Sequence, residues 1–327
     1  MNSPRRFFAE YAALAGIWIG LVVLFGVLSE HFLTARTLGT LANRIPPLTL
    51  IAVGMTFVLI IGGIDLSVGS LLGLCGALVG LVLVDWKWSL PAAMLVAVVV
   101  GMLAGSFSGL VSAGLEIPSF IVTLGMLEVS RGLAYLATDS QTKYIGTSIE
   151  GLAKPLGGLG LSPAFLFALG GVVLGQVLLT RTVFGRYVLA VGANETAAHL
   201  AGVRTRLCKV AVFAISGLLT GLAAVFYTSR LGSSDPNAGA GLELSAIAAV
   251  VIGGTSLMGG RGSVVNSFFG VLIIATLDAG LAQVGASEPS KRVITGGVIV
   301  AAVVMDAWRS RWRPGWWRKF FGKNQTR

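Results

Sequence analysis

Long apolar runs, separated by short polar segments, make up most of this 327-residue chain. A membrane-spanning helix needs about 20 apolar residues, and the share of charged residues, 12% against about 25% in soluble domains, agrees with repeated spans. The sequence therefore predicts an all-α polytopic membrane protein with about ten transmembrane helices, some of them short or broken. The apolar runs fall at 12–33, 47–62, 66–84, 91–114, 118–138, 163–180, 207–229, 243–258, 263–284 and 291–307.

Almost the whole chain is assigned to one domain. We expect residues 1–11 to form a cytoplasmic N-terminus, residues 12–307 a single transmembrane domain, and residues 308–327 a basic cytoplasmic tail. The tail holds seven of the 24 Lys and Arg residues next to several tryptophans, which is typical of a segment at a membrane surface. The first apolar run follows two arginines, as in a signal peptide. It is long and no small-residue cleavage site follows it, so it is interpreted as an uncleaved span.

The basic residues also predict the orientation of the chain. An even number of spans puts both termini on one side. With cytoplasmic termini, the inner segments carry fifteen of the 24 basic residues and the outer segments carry eight. Inner loops of membrane proteins are enriched in Lys and Arg, so we expect a multi-pass protein whose N- and C-termini are cytoplasmic. The net charge of +10 is then explained by the basic residues of the inner segments, and no nucleic-acid partner is predicted.

A carboxylate interrupts the apolar pattern in the stretch IGGIDLSVGS at residues 61–70. Gly62 and Gly63 can end one helix, since glycine accepts the left-handed conformation of a helix C-terminus. Asp65 or Ser67 can cap the next helix. A break in a membrane helix persists only where its backbone groups find protein or water. Two interpretations stay open: a capped break near the cytoplasmic face, or a break that contacts a partner or lines a transport path.

A second glycine-rich stretch resembles the first. Residues 252–260, IGGTSLMGG, match residues 61–69, IGGIDLSVG, and each stretch follows an apolar run that begins with Ile-Ala. Many transporters contain internal repeats with interrupted helices at matching positions, which makes Gly253 and Gly254 candidates for a second break on the path. In our span count both stretches lie on the same side, so they do not form a simple inverted repeat. Chance similarity stays open.

Three charged residues lie inside predicted spans. Glu128 and Arg131 are three residues apart in the fifth span and can pair on one face of a helix, whereas Asp278 in the ninth span has no obvious local partner. Charges inside spans usually face the bundle interior or a water-filled cavity. Glu128 and Arg131 are therefore either a structural ion pair or part of the transport path. Because such carboxylates are few, coupling to a cation gradient is the less favoured mechanism.

The longest predicted inner loop, residues 181–206, is basic and contains a short helix. Asn194 is a good N-cap, the small residues Ala197 and Ala198 follow it, and Gly202 can close the helix. A brief helix with small side chains leaves a surface that another protein can approach closely. An ordinary connector with the same composition is the alternative.

Motifs for catalysis are missing from the sequence. There is no G-x-x-x-x-G-K-[ST] phosphate loop, no zinc-spaced His/Cys cluster and no HExxH motif. The two histidines do not support a Ser-His-Asp set. We therefore expect a chain that is not an enzyme, binds no cofactor or metal itself, and does not hydrolyse ATP.

Three segments together resemble the permease subunits of bacterial ABC sugar importers, in the ribose, xylose and galactoside branch. The segments are GGIDLSVGS at 62–70, AVGANETAAHLAGV at 190–203 and LELSAIAAVVIGGTSLMGGRGS at 242–263. The resemblance runs from about residue 40 to residue 307 and is specific for the family rather than for one sugar. Branched-chain amino acid permeases share the fold, but GGIDLSVG resembles the sugar branch.

The resemblance implies a permease in the bacterial inner membrane that moves a monosaccharide, ribose or a similar pentose, from periplasm to cytoplasm by alternating access. Its partners would be a cytoplasmic ABC ATPase with tandem nucleotide-binding domains, a periplasmic sugar-binding protein, and a second permease copy or a paralogue. ATP-Mg would be bound by the ATPase and not by this chain.

By resemblance, the loop 181–206 contains the helix that couples the permease to the ATPase. The residues expected to make this contact are Asn194, Glu195, Ala197, Ala198, Gly202 and Val203. The segment keeps the spacing A-A-x-x-x-G of the coupling motif. It departs from the fuller E-A-A form because Thr196 separates Glu195 from the alanines, so the contact of Glu195 is open.

An ion-driven secondary transporter for a sugar or another metabolite is the main alternative. It would need no ATPase, and it would use intramembrane carboxylates such as Glu128 or Asp278. A channel or scaffold is a third class, which would need no coupling helix.

Overall fold

Residues 4–157 and 160–311 are described by the computed structural model; the predicted tail beyond residue 311 lies outside them. The longer helices are α1 (Pro4–Leu28), α3 (Pro46–Ile60), α4 (Val68–Gly80), α5 (Leu90–Leu115), α6 (Ser119–Thr138), α8 (Pro163–Arg181), α11 (Thr205–Leu231), α13 (Val264–Gln283) and α14 (Glu288–Arg311). The shorter ones are α2 (Ala35–Arg44), α7 (Thr147–Glu150), α9 (Val183–Ala193), α10 (Glu195–Leu200) and α12 (Leu242–Ile252). A π-helical turn, Leu81–Asp85, continues α4. Two short strands, β1 (Lys143–Tyr144) and β2 (Ser233–Ser234), pair antiparallel, with Lys143 opposite Ser234.

The prediction of an all-α polytopic protein is confirmed. In the described part of the chain, seven helices are long and apolar enough to cross a membrane, and the pair α2 and α3, bent by 45°, makes an eighth. This differs from the expected ten. The run at 243–258 holds only the 11-residue α12, and the run at 291–307 belongs to α14, whose final side chains lie outside the described residues.

The long helices run between two ends of the bundle, which we name after elements found there. At the α10 end, Gly260 packs against Ala193, the residue that ends α9, and the start of α1 contacts Ser263. At the β end, Lys143 of β1 pairs with Asp85 after α4 at 2.6 Å. α1 therefore starts at the α10 end. α14 packs against α12 and α13 and runs back towards that end.

The segment 235–241 enters the bundle from the β end. Arg131, the thirteenth of the 20 residues of α6, donates hydrogen bonds to the carbonyl oxygens of Pro236 and Ala238. With 1.5 Å of rise per residue, this level is about 18 Å from the start of α6. α12 therefore begins midway between the two ends and covers only the half that leads to the α10 end. Residues 235–241, which lie between the apolar runs 207–229 and 243–258, therefore extend to the middle of the bundle.

α11 is the central helix, and it packs against α3, α4 and α5. Along α5, Gly101 and Gly105 face Gly217 and Gly221, so that the two backbones touch. Lipid tails are as apolar as a leucine side chain, so the hydrophobic effect does not drive membrane helices together. They associate instead through close van der Waals contact between small residues. This glycine seam holds α11 in the middle of the bundle.

Candidate functional site

The short helix α10 is capped at both ends. Asn194 Oδ1 accepts a 2.9 Å hydrogen bond from the backbone N–H of Ala197, as an N-cap does. At the other end Gly202 has φ +87°, and the N–H of Val203 bonds the carbonyl of Ala198 at 3.0 Å. These are features of a Schellman motif, which favours glycine in the left-handed conformation. The predicted start and end of this helix are confirmed.

The outer surface of α10 combines small, polar and apolar side chains. Four of the six residues predicted to contact a partner are exposed: Asn194, Glu195, Ala197 and Gly202. Leu200 is 82% exposed at the end of the helix. Ala198 is buried and packs α10 onto the bundle, and Val203 is half-buried, so these two are less accessible than the other four.

A cleft of about 920 Å³ lies between α10, the end of α3 and the junction of α5 and α6. Charged side chains from α10, from α11 and from the end of α5 line it. Lys209 of α11 pairs with Glu195 at 2.6 Å, and Arg206 pairs with Glu116 at 2.9 Å. Partly exposed ion pairs contribute at most about 1 kcal/mol each. The first pair joins α10 to α11 and gives Glu195 a partner within its own chain, and the second joins α11 to the end of α5.

Close backbone contact joins α9 and α10 to both predicted helix breaks. A Cβ atom at Gly192 would overlap the carbonyl oxygen of Ile60 and lie 2.7 Å from the backbone nitrogen of Gly260. The Gly260 N–H donates to that same Ile60 carbonyl at 2.8 Å. The end of α9, the end of α3 and the loop before α13 therefore meet at one point, which we call the glycine junction (Ile60, Gly192 and Gly260). The junction is thus one route by which a displacement of α10 can reach both breaks.

Asp65 lies in the break between α3 and α4 and is 1% exposed. Its carboxylate accepts hydrogen bonds from the Ser67 N–H at 3.0 Å, the Ser67 hydroxyl at 2.6 Å and the Ser216 hydroxyl of α11 at 3.2 Å. Burial raises the pKa of the Asp65 carboxyl above its ordinary value, and the three hydrogen bonds oppose this shift. Ser67 occupies the N-cap position of α4 without a capping bond. Of the two predicted caps of α4, Ser67 makes no capping bond, and Asp65 instead binds Ser67 itself and joins the break to the central helix.

The two predicted breaks share a backbone geometry. Gly62 follows α3 with φ +76°, and the N–H of Gly63 bonds a carbonyl five residues back at 2.9 Å. Gly254 follows α12 with φ +84°, and the N–H of Thr255 makes the equivalent bond at 3.2 Å. In the sequence match Gly62 is equivalent to Gly253, whereas in backbone conformation it is equivalent to Gly254. The glycine breaks are thus confirmed, with a register that differs by one residue.

Glu128 and Arg131 do not form the ion pair that their spacing allows. Arg131 is occupied by the carbonyl oxygens of segment 235–241. Glu128 is exposed on α6 and makes no ion pair with any residue that the structure describes. Asp278, by contrast, pairs with Arg44 at 2.9 Å. Glu128 is therefore an exposed carboxylate within a spanning helix that has no ion-pair partner among the described residues.

Sequence reasoning missed three features of this site. Nothing near Ser216 in the sequence marks it as the partner of Asp65, and nothing in the apolar run at 243–258 marks the point where α12 begins. Leu200 could have been found, because residues two apart on a helix point to nearly opposite sides and Ala198 has the small side chain suited to the packed side.

Comparisons with known proteins find transport permeases along most of the chain. A family model described as the permease component of the branched-chain amino acid transport system matches residues 37–303. The ribose import permease protein RbsC of Bacillus subtilis (strain 168) is 40% identical over 304 residues, which cover 90% of this chain and 92% of the relative.

Two further relatives have similar coverage. RbsC of Escherichia coli (strain K12) is 35% identical over 317 residues, 93% of this chain and 97% of the relative. The autoinducer 2 import system permease protein LsrC of Enterobacter sp. (strain 638) is 36% identical over 293 residues, 88% of this chain and 85% of the relative. No solved structure matches the chain.

Proposed function

The chain belongs to the family described as permease components of the branched-chain amino acid transport system, and we propose that it is the transmembrane subunit of an ATP-driven sugar importer. The relatives at 35–40% identity include ribose import permeases. By analogy with them, the cargo is a monosaccharide, ribose or a similar pentose, and the direction is from periplasm to cytoplasm. The chain itself is a permease subunit, and ATP-Mg is bound and hydrolysed by a partner.

The exposed helix α10 is the single observation that carries this proposal. It projects Leu200 from the end of an apolar bundle, and it is connected to that bundle by the glycine junction on one side and by α11 on the other. A partner that moves α10 would displace the end of α3 and the loop before α13 together. α11 would follow, and Ser216 on it holds Asp65. Rigid-body motion of packed elements about such a contact is a common way to switch between two conformations.

In the proposed assembly this chain has three partners. A cytoplasmic ABC ATPase with tandem nucleotide-binding domains engages Asn194–Val203. A periplasmic sugar-binding protein delivers the cargo at the β end, and a second permease copy or a paralogue completes the path. The assembly lies in the bacterial inner membrane, with the α10 end, both termini and the basic tail in the cytoplasm.

The docking part of this proposal is tested by introducing a charge at Leu200. We expect Leu200→Glu to weaken binding of the purified ATPase to the detergent-solubilised permease at least tenfold, a loss of about 1.4 kcal/mol or more, because an unpaired carboxylate in a contact is costly. Tyr144→Glu is the matched control, since Tyr144 is also 82% exposed but lies at the β end. Equal ATPase binding by the two variants would contradict docking at α10.

The energy source is tested by uptake into vesicles that contain the permease, the ATPase and the binding protein. We expect uptake of labelled ribose to require ATP and the ATPase, and to continue when ionophores collapse ion gradients. Uptake without the ATPase that stops on addition of an ionophore would instead support an ion-driven secondary transporter.

A further inference from the structure

A strip of polar groups is accessible on the surface of the described chain at the depth of its spanning helices. It consists of Glu128 and Tyr135 on α6, Asn237 in the segment 235–241, and Glu243 and Ser245 in the first turns of α12. Glu128 and Asn237 are exposed, and the other three are half-buried. We call this set the mid-bundle strip.

The depth of the strip follows from contacts on two sides of segment 235–241. On one side Arg131 holds the Pro236 and Ala238 carbonyl oxygens about 18 Å from the start of α6. On the other side α4 has glycines where the segment passes. A Cβ atom at Gly73 would lie 2.9 Å from the Ala238 oxygen, and one at Gly69 would lie 2.5 Å from the Gly239 oxygen. The hydrocarbon core is about 30 Å thick, so the strip lies near its middle.

Polar groups in the strip keep unused hydrogen-bonding capacity. The Tyr135 hydroxyl donates to Asn237 Oδ1 at 2.6 Å, which orients the Asn237 side chain and leaves its NH₂ group with two donors. Glu243 Oε1 accepts from the Gly241 N–H at 3.2 Å. Glu128 lies on the same stripe of α6 as Arg131 and Tyr135, at spacings of three and seven residues. Its carboxylate has no hydrogen-bond partner among the described residues.

Lipid does not fit this surface. A carboxylate at the centre of a helix in hydrocarbon costs about 2.5–3.5 kcal/mol on insertion scales, and irregular backbone is tolerated at that depth only against protein or water. Other exposed helix faces of this chain have the composition that lipid requires. On α8, for example, the exposed side chains Phe167, Val173 and Leu174 are apolar.

We propose that the mid-bundle strip lines the water-filled path and binds the hydroxyl groups of a neutral, polyhydroxylated substrate as it passes. The carboxylate of Glu128 accepts hydrogen bonds from hydroxyls, and the amide of Asn237 donates to them. Their exposure keeps this contact weak, as release on the far side requires. This inference rests on the proposed function, because it names the surface on which the proposed cargo travels.

The experiment measures water access and substrate contact separately in the assembled transporter in lipid vesicles. Glu128→Cys and Val173→Cys are each made in the natural background, whose Cys75 and Cys208 are buried. A membrane-impermeant, charged methanethiosulfonate reagent then labels the thiols. We expect Glu128→Cys to react at least tenfold faster than Val173→Cys, and saturating sugar to slow its reaction at least threefold. Equal rates for the two variants would overturn the water-filled strip.

Uptake by conservative variants tests the contact with substrate. We expect Glu128→Leu, which cannot bind hydroxyls, to reduce uptake at least fivefold, and Glu128→Gln, which keeps one acceptor oxygen, to reduce it less. Normal uptake by Glu128→Leu, or labelling that sugar does not slow, would overturn the substrate contact. If the natural protein shows no ATP-dependent uptake, the proposed function fails, whereas the labelling rates still decide whether the strip meets water.

Discussion

At the scale of single residues, Asp65 shows how one buried side chain connects distant parts of this chain. It lies in a helix break, where a carboxylate without partners would be costly. Ser67, two residues away, donates hydrogen bonds to this carboxylate. Ser216 of α11, 151 residues further along the chain, donates another. The same burial raises the pKa of the Asp65 carboxyl, so its charge state affects the stability of the fold.

Asp65 should make the stability of this protein fall as the pH rises. Its pKa in the folded protein is raised above the ordinary value of 3.8, so the folded state binds the proton more tightly than the unfolded state. The resulting stabilisation is complete below the ordinary value and is lost as the pH rises through the raised one. Asp65→Asn removes this dependence. The apparent unfolding temperature of the natural protein in detergent should therefore fall relative to that of Asp65→Asn as the pH increases, and a difference that does not change with pH would contradict this.

At the scale of elements, the contact between α5 and α11 depends on the absence of side chains. Gly101 and Gly105 let the two backbones touch, and a Cβ atom at Gly105 would overlap the carbonyl oxygen of Phe213. A backbone carbonyl cannot rotate away as a side chain does. The two helices would therefore have to move apart to make room for a side chain at Gly105. The seam thus sets the distance between the central helix and its neighbour.

Gly105→Ala should destabilise the bundle. Overpacking of this kind costs about 1–3 kcal/mol, which should lower the apparent unfolding temperature in detergent by several degrees. Gly114→Ala, the same change on the same helix, meets no atom within 4 Å, and it should be neutral or slightly stabilising, since alanine favours helix more than glycine does. Similar unfolding temperatures for the two variants would show that the seam tolerates separation.

The glycine junction gives a second prediction at this scale, and it concerns transport. A Cβ atom at Gly192 would overlap the Ile60 carbonyl, so Gly192→Ala should separate the end of α9 from the breaks while leaving the surface of α10 unchanged. We expect ATPase binding within twofold of normal and sugar uptake reduced at least fivefold. Gly170→Ala on α8, which meets no atom within 4 Å, is the control. Normal uptake by Gly192→Ala would contradict transmission through the junction.

At the scale of the whole molecule, α10 and the β1–β2 sheet lie at opposite ends of one bundle. The predicted inner segments, which include the loop 181–206 with α10, carry fifteen basic residues against eight in the outer segments, and this predicts that the α10 end is cytoplasmic. A cytoplasmic ATPase could reach α10 only if the α10 end faces the cytoplasm. The proposed mechanism therefore depends on this orientation more than on any single contact.

Thiol labelling tests this orientation directly. Tyr144→Cys and Leu200→Cys replace two residues that are each 82% exposed, at the β end and at the α10 end. A maleimide that cannot cross the inner membrane should label Tyr144→Cys in intact cells and Leu200→Cys only after that membrane is permeabilised. Labelling of Leu200→Cys in intact cells would exclude contact between α10 and a cytoplasmic partner.

The sequence by itself determined the features that depend on composition and on neighbouring residues. Apolar runs determine the all-α membrane class, and Gly62, Asn194 and Gly202 determine where helices end or begin, because their hydrogen bonds span only a few residues. Only the tertiary structure decided that Ala198 faces the bundle and that Arg131 binds carbonyl oxygens more than 100 residues away instead of Glu128. It also decided that segment 235–241 turns into the bundle. These features depend on which helices become neighbours, and local hydropathy and helix propensity carry no information about that.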